Sequence, residues 1–142
     1  MNPDLGREAV YAAEIDAFEG TSYESVVPLD ELLPLARVIM SAEWWPHGEI
    51  AVVVARADAT SSSTRQRGSN EPVVRLAAPQ MTPATLLHEF AHVLAGVALG
   101  HGATFRRAHV DLVGYVFGDT EANWLLDAYA AMGLTPGERT WA

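Results

Sequence analysis

The segment TPATLLHEFAHVLAGVALGHGATF, residues 82–105, constrains this chain more than any other part of it. Thr82 followed by Pro83 reads as a helix start. The threonine serves as N-cap, and the proline sits in the first turn, where its missing N–H is no loss. The residues that follow are apolar almost without interruption. The spacing predicts a helix from Pro83 to about Leu99, stopped by Gly100. Into this run are set His88, Glu89 and His92. Polar groups of that kind are costly in a core without partners, so the helix either satisfies them by hydrogen bonds or offers them to an ion.

The spacing favours the ion. His88 and His92 are four residues apart, so on a helix they project from one face, one turn from each other. Both imidazoles can then reach a single zinc ion at about 2.0–2.1 Å. Glu89 is displaced around the axis, placed for a water on the ion rather than for the ion itself. This is the His-Glu-x-x-His pattern. Zinc lowers the pKa of its water toward neutrality, and the carboxylate takes the proton as that water attacks a carbonyl.

A catalytic zinc has three protein ligands and one open position. The chain has no cysteine, so the third ligand must be His, Asp or Glu. His101 comes nine residues after His92, between Gly100 and Gly102, which let the chain turn back. His109 and Asp111, on the helix expected next, are the alternatives. Either of them would otherwise lie on a solvated face or hydrogen-bond an imidazole from behind. Acyl transfer also needs a donor for the developing oxyanion. Tyr115, His109 and Arg106 are candidates, weighed against a core-edge role for the tyrosine and a surface role for Arg106 and Arg107.

The rest of the chain reads as one α+β domain, a small sheet followed by helices. With 142 residues, 49% of them hydrophobic, a single packed core is expected. Residues 8–16 are strand or helix; their periodicity does not decide. LDELLPLARVIM, from Leu29, has helical spacing, and Trp44 and Trp45 beyond it read as caps on the core. EIAVVVARA (49–57) and PVVRLAA (72–78) read as strands. The polar residues 58–70 between them read as a flexible loop. That arrangement suggests a hairpin with a flap that closes over a cleft, and a strand at 73–77 that pairs with an extended peptide. Further helices are expected from Thr104 to about Phe117, and from Asp119 or Thr120 to Met132. The tail 135–142 is expected to be loosely packed.

Charge narrows the partners. The net charge is −9, and residues 1–50 alone carry ten acids and two arginines. No basic footprint for nucleic acid is present. No apolar run reaches the ~18 residues that span a bilayer. The first ten residues lack the pattern of a secretory leader. The expectation is a cytoplasmic protein that acts on a peptide or protein substrate.

The segment LLHEFAHVLAGVALGHGATFRRAHVDLVGY resembles the active-site region of His-Glu-x-x-His zincins whose third ligand is the histidine of an HGxxF segment. The chain as a whole resembles a family of metallohydrolases from actinobacteria and their phages. The pieces that carry this are VYAAEIDAFEG, the tryptophans at 44–45, SSST at 61–64, VVRLA at 73–77, HEFAH and HGATF. SprT-like metalloproteases are similar over a shorter span; this chain lacks their cysteine zinc ribbon and is acidic. The resemblance implies a zincin-like fold, with His88, His92 and His101 as zinc ligands and Glu89 as general base. It names no substrate. The expected activity is therefore zinc-dependent hydrolysis, with a peptide bond as target. The alternative is a zinc-holding regulatory or interaction protein with little turnover.

Overall fold

The computed structural model describes residues 6–67 and 71–141. The expected loop at 58–70 and tail at 135–142 extend into residues 68–70 and 142, outside the described residues; so does the start of the segment read for a leader. The architecture is α+β. The described residues form five α-helices and a three-stranded mixed sheet: α1 Arg7–Phe18, α2 Leu29–Met40, β1 Ala51–Val54, β2 Ser63–Arg65, β3 Val73–Leu76, α3 Pro83–Ala95, α4 Ala103–Val116 and α5 Asp119–Ala131.

Residues 8–16, undecided from the sequence, belong to α1. Val10, Ala13 and Ala17 recur at three- and four-residue intervals, and the first two are fully buried. This helix packs along α5, which in turn packs on α4. The central element is α3. Thr82 accepts the backbone N–H of Thr85 at 3.1 Å, as its N-cap role requires. Nine of the thirteen residues of α3 are buried. Phe90 on α3 and Phe105 on α4 are fully buried, and each contributes on the order of 1.5–3 kcal/mol by leaving water. Trp45 closes the core against Phe90, as expected, with ring centroids 5.8 Å apart.

Three expectations need correction. First, α3 stops at Ala95, four residues short of Leu99. Gly96 takes φ +116°, a conformation that ends the helix, and Val97–Leu99 form a separate 3-10 turn. Second, the strands at 49–57 and 72–78 are shorter and do not form a hairpin. β1 and β3 run parallel, Ala51 opposite Val73. A parallel pair needs a crossover, and the connection from β1 to β3 runs by way of β2. Within the expected loop β2 pairs antiparallel to β3, Thr64 opposite Val74, so Ser63–Arg65 of the presumed flap are sheet. The order β1-β3-β2 puts β3 in the centre, where it has no free edge for a peptide; β1 and β2 are the edge strands. Third, the tail is tied along α4 as far as Trp141. Arg106 and Arg107 donate to the carbonyls of Thr135 and Gly137, and Gly137 N–H donates to Ala103. A Cβ on Gly137 would stand 3.0 Å from the Ala103 side chain, so the close approach depends on glycine.

Candidate metal centre

The turn between α3 and α4 brings a third histidine back to the first two. Gly96 and Gly100 both adopt positive φ, which reverses the chain within a few residues. Arg106, one turn into α4, donates to the carbonyl of His101 at 3.0 Å and anchors the returning segment. The outcome is a cluster in which Nε2 of His101 lies 3.1 Å from Nε2 of His88 and 3.2 Å from Nε2 of His92. Two ligands of a tetrahedral zinc stand about 3.3 Å apart when each bond is ~2.05 Å, so these nitrogens are spaced to share one ion. His88 and His101 are buried and His92 is half-buried. Phe105 packs against all three rings at 4.5–5.0 Å, and Tyr11 stacks on His88 at 5.2 Å.

The chemistry of the donors also fits. Nδ1 of His88 lies 2.5 Å from a carboxylate oxygen of Glu14. A carboxylate can only accept there, so the imidazole proton is on Nδ1. The lone pair of His88 is therefore on Nε2, aimed at the other two histidines, as a ligand requires. Glu14 keeps its negative charge. Burial pushes its pKa up, but the neighbouring His88 and His109 outweigh that and hold it below the ordinary carboxylate value.

Glu89 is buried beside the cluster. The Thr64 hydroxyl, from β2, lies 2.9 Å from its carboxylate and 3.1 Å from its backbone carbonyl, so one hydrogen serves both. Burial raises the pKa of Glu89, opposed by His88 and by the Thr64 hydrogen bond. A raised carboxylate is a better proton acceptor than an ordinary one. Glu89 and His88 line a cavity of about 440 Å³, together with Tyr11, Ser61, Gln80 and Thr85.

The remaining candidates lie elsewhere. His109 is fully buried behind Glu14, its Nε2 3.2 Å from the carboxylate and its Nδ1 2.6 Å from the Tyr129 hydroxyl. It supports the cluster from behind and has no path to an oxyanion. Asp111 is held by Arg139 at 2.7 and 3.1 Å and by the Trp141 indole at 3.1 Å. Tyr115 packs edge-on against Trp44 at 5.1 Å. Asp111 and Tyr115 line a different cavity, of about 450 Å³, whose lining includes none of the three clustered histidines. Neither is placed to serve as ligand or oxyanion donor. Arg106 is spent on backbone carbonyls.

Sequence reasoning passed over Glu14, Tyr11, Thr64 and Tyr129. Only Glu14 left a trace: it is a carboxylate in an alanine-rich helix, on the same side as buried Val10 and Ala13. No family model matches the chain, and neither a curated protein nor a solved structure is significantly similar to it. Among the described residues no helix is long and apolar enough to cross a membrane.

Proposed function

We propose that this protein is a zinc-dependent hydrolase of zincin type, and that its substrate is a peptide or protein. The observation that carries the reading is the convergence of three Nε2 atoms beside a buried glutamate that lines a cavity. His88, His92 and His101 would hold the ion. Zinc supplies a Lewis acid that polarises a carbonyl and acidifies a water molecule. Glu89 would take a proton from the attacking water and pass it to the leaving amine. Thr64 keeps the carboxylate turned to this task, and Phe105 excludes bulk water from one side of the histidines. The free edge of β2, which carries Thr64, offers backbone groups to an extended peptide beside Glu89. Glu89 itself favours turnover over a purely zinc-holding role, because a structural site closes its fourth position and needs no adjacent carboxylate.

Metal analysis of the purified protein should give about one zinc per chain. Glu89→Gln should retain that zinc and lose hydrolysis of a peptide library by about 10²–10⁴-fold, the usual worth of a general base. A wild type that binds no zinc, or a fully active Glu89→Gln, would overturn the proposal.

A further inference from the structure

Behind the three histidines lies a second buried cluster that the reaction does not use. Glu14 from α1, His109 from α4 and Tyr129 from α5 form a line that ends on His88. Glu14 accepts the Nδ1 hydrogen of His88. The same oxygen lies 3.2 Å from Nε2 of His109, close enough for an ion pair yet off the axis of a good hydrogen bond. His109 Nδ1 lies 2.6 Å from the Tyr129 hydroxyl, and both residues are fully buried. A neutral imidazole has one donor and one acceptor nitrogen. Turning the lone pair of Nε2 toward a carboxylate would set two acceptors against each other. The Tyr129 hydroxyl therefore donates to Nδ1, and Nε2–H faces Glu14.

A second ion is the competing account, since one atom each from Glu14, His88 and His109 lie within 4.8 Å of one another. The geometry speaks against it. The Glu14 and His88 atoms are only 2.5 Å apart, whereas two ligands of one zinc stand about 3 Å apart or more. A proton fits between them and an ion does not.

We propose that Glu14 is a positioning residue for the metal site, held in turn by His109 and Tyr129. It fixes the tautomer and orientation of His88, raises that ligand's basicity, and ties metal affinity to the packing of α1 and α5. The inference rests on the metal reading above but does not require the protein to be a hydrolase.

The test is zinc affinity of the full-length, metal-stripped chain, measured by competition with a chelator, together with the visible spectrum of the cobalt-substituted protein. Glu14→Gln should bind one ion roughly tenfold to a hundredfold more weakly than wild type, with a shifted cobalt spectrum. Tyr129→Phe, which removes one hydroxyl, should lose about fivefold, the worth of one neutral hydrogen bond. Wild-type affinity and spectrum in Glu14→Gln would overturn the inference. So would two ions per wild-type chain falling to one in Glu14→Gln, which would establish the second ion instead. If Glu14→Gln fails to fold, Tyr129→Phe decides, and unchanged affinity there overturns the proposal. A wild type that binds no metal would instead sink the metal reading itself.

Discussion

His109 and Asp111 are two residues apart on α4, yet they serve different parts of the molecule. His109 is fully buried and reaches inward, to Glu14 and Tyr129. Asp111 reaches outward, to Arg139 and Trp141 of the tail. A helix turns about 100° per residue, so two positions apart is nearly the opposite face. The inward face belongs to the candidate metal centre. The outward face is a strap that fastens the C-terminal residues. Proximity in sequence to His101 made both look like site residues; the helical phase separates them.

The widest gap between the two faces should be in metal affinity. His101→Ala removes one of three ligands and should weaken zinc binding by about two to three orders of magnitude. Asp111→Ala should leave it unchanged. A chelator titration of both variants checks this, and equal losses would break the distinction.

Acid should separate the faces next. Burial is the main cause that holds the His109 pKa down at about 4, while Glu14 pulls it the other way. An unfolded histidine titrates near ~6.5. Between those values only the unfolded chain takes up this proton, so His109 makes stability fall as pH drops from about 6.5 to 4, and below that its contribution is flat. The loss is on the order of 3 kcal/mol. Denaturant unfolding of the metal-free protein across this range should show the slope in wild type and Asp111→Ala. His109→Phe should show a shallower one, and an identical slope would mean that His109 is not buried neutral.

Thr64 sharpens the inner face. Thr64→Val removes the hydroxyl that holds Glu89, at near-constant shape. Proposed hydrolysis should fall by roughly tenfold, as for a hydrogen bond to a charged group, while zinc affinity stays at the wild-type value. A fall in both would assign Thr64 to the fold rather than to the base. The smallest effect belongs to the strap. Arg139 is more than half exposed, so Arg139→Ala should cost less than about 1 kcal/mol in thermal unfolding and nothing in zinc binding.

Much of the inner face was legible in the sequence because it obeys local rules. His88 and His92 share a face by helical period, the N-cap at Thr82 fixes where α3 begins, and Gly100 marks the turn that returns His101, although its second positive-φ glycine is Gly96 rather than Gly102. Glu14 obeys no local rule. It lies 74 residues from the histidine it touches, and only the packing of α1 against α5 brings it there. The strand β2 was hidden because SSSTR has no apolar alternation; it is a strand because β3 needs a partner on that side. The strap was hidden for another reason. Its arginines donate largely to backbone carbonyls, which leave no imprint on side-chain pattern.

The turn after α3 has a mechanical consequence. An ion held by His92 and His101 would join the two ends of a ten-residue stretch into a closed ring, with Gly96 and Gly100 as its two pivots. Short rings of this kind lose much of their freedom on closure. Leu99, 58% exposed, lies on this ring between the two pivots. Loss of the ion would open the clasp, loosen both pivots and let a protease draw the backbone around Leu99 into its cleft. The rate at which the chain is nicked near Leu99 would then serve as a gauge of how full the site is, readable in a crude extract and independent of any substrate.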